Sequence, residues 1–127
     1  QVKVENIDQA EHKIERDRLI DMVKTQPTQF QATLYPILEM DQKDETPLNT
    51  GEIYDLYKQL CEKAGLRPLT QRRISDIIGE LDMFGIINAN VISKGRFGRT
   101  REIEVSLTSK IEDQIVSILK TELDLNG

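Results

Sequence analysis

Residues Pro68 to Leu107 read PLTQRRISDIIGELDMFGIINANVISKGRFGRTREIEVSL, and the fold turns on this stretch. Ile74, Ile77, Ile78, Leu81 and Phe84 recur at i, i+3, i+4, i+7 and i+10, one apolar stripe of an α-helix. Arg72, Asp76, Gly79 and Met83 fall on the opposite, outward face. Thr70 is placed to cap this helix and Gly85 to stop it. The period then changes from 3.6 to 2. Ile87, Ala89 and Val91 alternate on one side, and Ile103, Val105 and Leu107 answer them. Between the two runs lies Lys94-Gly95-Arg96-Phe97-Gly98-Arg99-Thr100-Arg101.

A helix followed at once by a hairpin with a cationic tip predicts a winged helix-turn-helix: mainly α, with a small β-hairpin (α+β). The flanking sequence agrees. Gly65 to Leu69 is a short glycine-bearing turn, the linker a helix-turn-helix needs. Before it, Ile53, Leu56, Tyr57, Leu60, Cys61 and Ala64 share a helical stripe, with Thr50 expected as its cap and Glu52 near its positive end. Leu48-Asn49 is placed to add a short strand to the sheet, and Asp41 to Pro47 is polar and expected as a loop. Pro27 can open a helix whose stripe is Phe30, Leu34, Ile37 and Leu38, and Pro36 is expected to kink or divide it. After the hairpin, Ser109-x-x-Glu112 has the form of a capping box, leading into a helix of Ile111, Ile115, Ile118 and Leu119. Residues from about Val4 to Lys24 form a charged helix with two displaced stripes, Ile7, Ala10 and Ile14, then Leu19, Met22 and Val23. Two stripes on one helix suit a connector touching two neighbours. The chain does not begin with Met and is expected to be a piece of a longer protein, with 1–24 the connector and 25–127 the domain.

Composition narrows the function. Aromatics make up 5% of the 127 residues and there is no Trp, so the core must be aliphatic. No run approaches the length of a membrane span and no signal peptide is visible, which points to the cytoplasm. Cys61 is single and on an apolar stripe, which suits a buried, inert thiol in a reducing compartment. His12 has no cysteine or second histidine nearby and is not read as a metal ligand. There is no GxxxxGK[ST] loop, no GxGxxG after a strand, no CxxC pair and no HExxH. The expectation is a binding module, not an enzyme, with no cofactor of its own.

The net charge is −5, which alone argues against nucleic acid, but its distribution reverses the argument. From Arg67 to Arg101 there are seven cations and three anions, a balance of +4, so the remainder carries −9. Arg72 and Arg73 fall in the first turn of the proposed recognition helix, where side chains reach base edges, and Arg can donate two parallel bonds to guanine. Asp76 is expected to pair with Arg72 at i, i+4 rather than read cytosine. Gly79 weakens the helix by roughly 1 kcal/mol, which either close approach of DNA or packing against another helix would explain. In the wing, Gly95 and Gly98 suit a tight tip, and Arg96 and Arg99 stand beside them with Lys94 and Arg101 at the base. Narrow minor grooves attract such arginines. Phe97 either packs on a deoxyribose or folds back on the domain. Periodicity and charge favour DNA binding and leave open a winged helix used for protein contact or a dimeric transcription regulator.

Thr50 to Val105 resembles the C-terminal winged-helix domain of archaeal replication initiators, proteins related to the origin recognition complex large subunit and to cell division control protein six. The residues that carry the likeness are the Tyr54-x-x-Tyr57-x-x-Leu60-Cys61 helix, Pro68 to Asp76, Glu80 to Gly85, and Gly95 to Thr100, with Ile14 to Arg18 resembling the segment before that domain. The resemblance implies an ATP-binding AAA+ region upstream, absent here, with ATP and Mg belonging to that region. It implies binding to double-stranded origin DNA, with the recognition helix in the major groove and the wing in the adjacent minor groove. It points to Thr70, Gln71, Arg72, Arg73 and Ser75 in the helix, and to Lys94, Arg96, Phe97, Gly98, Arg99, Thr100 and Arg101 in the wing, as DNA-contacting residues. A replicative helicase is the further partner it suggests, and the fragment is expected to be monomeric and nucleoid-associated.

Overall fold

The computed structural model describes the backbone of residues 2–93 and 99–125, and the side chains of residues 13–92 and 100–125. The expectations placed on Lys94, Gly95, Arg96, Phe97 and Gly98, and on the side chains of Arg99, His12, Ile7 and Ala10, lie outside the described residues. Five helices and three strands follow in the order α1 (Val2–Thr25), α2 (Thr28–Gln42), β1 (Leu48–Asn49), α3 (Thr50–Ala64), α4 (Gln71–Met83), β2 (Ile87–Ser93), β3 (Arg99–Val105) and α5 (Ser109–Glu122). The sheet is antiparallel with strand order β1-β3-β2. Leu48 pairs with Ile103 on one side of β3, and Ala89 with Ile103 on the other, so the two-residue strand completes the wing's sheet.

The core is aliphatic and continuous. Ile74, Ile78 and Leu81 from α4 are fully buried with Ile53 and Tyr57 from α3, Leu34, Ile37 and Leu38 from α2, Ile115 and Leu119 from α5, and Ile87 and Ile103 from the sheet. Each such side chain contributes roughly 1.5–3 kcal/mol by leaving water, so the stripes hold the helices together more than propensity does. Phe84 departs from its stripe. It follows the last helical residue, is 40% exposed, and meets Phe30 edge-on at 6.0 Å between ring centroids. α2 is not divided at Pro36 but runs on to Gln42 with both halves buried. A proline inside a helix costs about 3 kcal/mol, and burial of Phe30, Leu34, Ile37 and Leu38 on the same core outweighs it. Pro27 is the residue before the first turn rather than within it.

Two helix starts lie one residue before the expected cap. α3 is capped by Asn49, not Thr50: Asn49 Oδ1 accepts from the Glu52 amide at 2.8 Å, and Glu52 Oε1 accepts from the Asn49 amide at 2.9 Å. Asn49 is extended because β1 holds it opposite Glu102, the conformation a cap requires. α5 is capped by Thr108, not Ser109, and Glu112 is turned inward and buried instead of closing a capping box. α4 starts as expected at Thr70, whose hydroxyl accepts from the Arg73 amide at 3.3 Å. Gly85, at φ +80°, ends α4, with its amide donating to Asp82 and the Ile86 amide to Leu81. That left-handed position is the reason for a glycine there. In α1 the second stripe docks: Val23 is buried and Leu19, Ile20 and Met22 pack on the core, while Ile14 is 60% exposed.

Candidate nucleic-acid interface

The turn between α3 and α4 positions the start of α4; beyond the backbone bonds of Gly65 and Leu66 to Cys61, side chains outside the turn hold it. The Tyr57 hydroxyl accepts from the Leu69 amide at 2.7 Å and donates to Gln29 Oε1 at 2.6 Å. The Tyr54 hydroxyl donates to the Leu69 carbonyl at 2.9 Å, and Gln29 Nε2 donates to the Arg67 carbonyl at 3.1 Å. Both polar groups of Leu69 are thus satisfied by two tyrosines one helical turn apart. Burial pushes the Tyr57 hydroxyl up to about 12, so it stays a neutral donor and acceptor. The apolar stripe places Tyr57 in the core, and nothing in the sequence marks Gln29. The spacing of Tyr54 and Tyr57 was the available signal, since a buried tyrosine needs a partner for its hydroxyl.

α4 then projects Gln71, Arg72 and Arg73 from its first turn, all exposed, with Asp76 and Gly79 exposed further along. Thr70 is exposed too, but its hydroxyl is occupied as the cap. Arg72 and Asp76 do not form the expected pair. The ion pairs among the described residues are Arg16–Asp17 and Lys58–Asp55, and the two side chains of α4 both face solvent. A Cβ built at Gly79 meets nothing within 4 Å, which removes packing against another helix as the reason for this glycine.

The base of the hairpin is tied to α4. Arg101 is half-buried, and its Nη2 donates to the Ser75 hydroxyl and, at 3.2 Å, to the Ser75 carbonyl oxygen. Ser75 and Arg101, both expected to contact DNA, meet each other through these polar groups. Period-2 alternation accounts for it. Arg101 lies two residues before the fully buried Ile103, hence on the inner face of β3, opposite Val91. Beyond the core this face leaves Val91 59% exposed. Thr100, on the other parity, is opposite Ile92. An open cleft of about 480 Å³ remains between α3, α4 and the hairpin, lined by Thr50, Gly51, Gln71, Ser75, Val91 and Arg101. Of the named site residues, Gln71, Ser75, Thr100 and Arg101 come together here, with Arg72 and Arg73 on the adjoining turn.

Among the described residues there is no group of three or more metal-binding side chains and no helix long and apolar enough to cross a membrane. Cys61 is buried, its thiol pushed up by burial.

Three helices, a tight turn into an exposed cationic helix start, and a three-stranded sheet extended as a hairpin define a winged helix-turn-helix domain. The chain belongs to a particular family of such domains: residues 21–113 match the family described as CDC6, C terminal winged helix domain. It is 56% identical over 99 residues to an ORC1-type DNA replication protein of Pyrococcus horikoshii, covering 78% of this chain and 24% of that protein. It is 48% identical over 110 residues to ORC1-type DNA replication protein 1 of Archaeoglobus fulgidus, covering 87% and 27%. Among solved structures it is similar to the Aeropyrum pernix ORC1 protein in complex with DNA, with a TM-score of 0.78, 40% identity, and coverage of 89% of this chain and 29% of that one. It shares its fold with CDC6P from Pyrobaculum aerophilum at a TM-score of 0.67 and 17% identity. The chain spans about a quarter of the length of the curated relatives it matches. The resemblance seen in the sequence is borne out.

Proposed function

We propose that this domain binds double-stranded DNA at replication origins as part of an initiator protein. α4 enters the major groove by its first turn and the hairpin lies along the adjacent minor groove. The observation that carries this reading is the joint placement of the exposed Gln71-Arg72-Arg73 turn and a hairpin rooted on α4 through Arg101 and Ser75. A rigidly positioned helix start supplies base contacts, and a wing at a fixed angle supplies backbone and groove-shape contacts. The similar Aeropyrum pernix protein was solved with DNA, which supports the assignment. A dimeric transcription regulator is the weaker reading, since the relatives are replication proteins.

On this reading the domain acts by binding alone, without a cofactor and as a monomer. α1 is the connector from an upstream nucleotide-binding region, and contact with a replicative helicase is a role of the whole initiator. The test is a titration of the domain against duplexes bearing candidate origin repeats, with footprinting, at several salt concentrations. With about four to six cations meeting phosphates, log K should fall against log salt with a slope of roughly −4 to −5. A flat dependence, or no protected sequence, counts against it.

A further inference from the structure

At the other end of α4 lies a second cleft that the DNA reading does not use. It is about 610 Å³, between α1, the turn after α4 and the start of α5. Its floor is apolar: Leu19, Phe84, Leu107 and Ile111. Its rim carries Lys13, Arg18 and Lys110, with Arg16 paired to Asp17, and one lining carboxylate, Glu15. This is an unusual balance on a chain whose residues outside Arg67 to Arg101 sum to −9. The large apolar side chains most exposed among the described residues are Ile14, Met83, Phe84 and Val91. Phe84 lines the cleft, and Ile14 and Met83 are chain neighbours of residues that do. Exposed apolar surface ringed by charge marks an interaction site.

We propose that this cleft docks an acidic amphipathic helix of a partner protein. Apolar side chains at i, i+3, i+4 and i+7 would enter between Leu19, Phe84, Leu107 and Ile111, and flanking carboxylates would meet Lys13, Arg18 and Lys110. Helix-in-groove recognition needs these two features together, a hydrophobic floor and a rim of opposite charge. A nucleic-acid backbone has the charge for the rim but nothing for the apolar floor, and Glu15 opposes it. The site is also remote from the duplex face. α4 has 13 residues, so its two ends are about 20 Å apart, well beyond the screening length of about 8 Å at physiological salt. Partner and DNA therefore bind together.

The probe is a fluorescein-labelled 16-residue helical peptide with Leu at i, i+3, i+4 and i+7 and Glu or Asp elsewhere. A copy with Lys for every acid and a 16-nucleotide oligo-dT strand serve as contrasts. Anisotropy should show saturable one-to-one binding of the acidic peptide, unchanged by saturating duplex. Amide shifts should map to Phe84-Gly85 and Leu107 to Ile111, not to Gln71-Arg72-Arg73. The double variant Arg18→Glu, Lys110→Glu should lose at least tenfold in peptide affinity while its melting temperature and duplex affinity hold. The double alanine variant at the same positions should lose less. No saturable binding, equal binding of the lysine peptide, undiminished binding by the charge-reversed variant, or a preference of this cleft for oligo-dT would each overturn the proposal.

Discussion

Arg101 Nη2 donates to the Ser75 hydroxyl and to the Ser75 carbonyl oxygen at 3.2 Å, bridging the wing to the recognition helix across 26 residues of sequence. The carbonyl belongs to the second turn of a helix whose N-terminus faces outward. With the Ala89 amide's bond to Asp82, this guanidinium ties together the two elements proposed to straddle DNA. Arg101 is a positioning residue on this account, acting through the hairpin it holds.

Arg101→Ala should lower stability by about 1–2 kcal/mol, since bonds from a charged donor exceed ordinary ones and this one is only half-shielded. Ser75→Ala should cost less, because the carbonyl bond survives. Denaturant unfolding of both single variants and the double variant gives the coupling directly. Hydrogen exchange at Ala89 and Ile103 should quicken in Arg101→Ala. Unchanged stability and exchange would show that the bridge does not hold the hairpin.

Gly79→Ala should raise stability by roughly 1 kcal/mol, the helix-propensity difference, since the position is exposed and a Cβ there meets nothing within 4 Å. Duplex affinity should fall in the same variant if the glycine lets the DNA backbone approach. Thermal melting and a duplex titration read the two effects separately. Higher stability with unaltered affinity would mean that this face does not touch DNA.

Glu112 supplies a pH dependence. Its carboxyl is buried, its Oε2 has no hydrogen-bond partner, and burial, then Asp41 and Asp113, push it from 4.5 up to about 8. The folded chain holds a proton that the unfolded chain releases. The corresponding stability is full below about pH 4.5 and is lost as pH rises through about 8, with a slope of at most about 1.4 kcal/mol per pH unit. Melting temperature should fall from pH 5 to 9, and Glu112→Gln should flatten that fall and melt higher at pH 9. Parallel curves for the two proteins would refute this.

α4, the hairpin and their order are legible from periodicity, because α4 and the sheet bury one face each and the residue types mark it, whereas the two-residue strand at Leu48-Asn49 is expected only from the winged-helix pattern. Helix starts were legible only to within one residue. Asn49-Thr50 and Thr108-Ser109 each offer two adjacent capping side chains, and tertiary structure selects between them: β1 forces Asn49 extended. The inward turn of Glu112 was hidden because a glutamate three residues after Ser109 fits a capping box equally well. The bond from Arg101 to Ser75 follows from the parity of Arg101 with Ile103 on β3, which charge alone does not show. The tyrosine bonds to Leu69 could not be read from spacing alone, since they depend on where the turn passes.

The most direct test of the account is a duplex titration at one fixed salt concentration. The intact domain, Arg72→Ala and Arg73→Ala are each measured on an origin-repeat duplex and on a scrambled one. Both side chains are exposed, so folding should be nearly unaffected. If either side chain bridges a guanine, its loss should weaken origin binding by about 1–3 kcal/mol and scrambled binding by much less. Equal affinity of the parent for both duplexes, with neither substitution altering it, would contradict the claim that the first turn of α4 reads DNA.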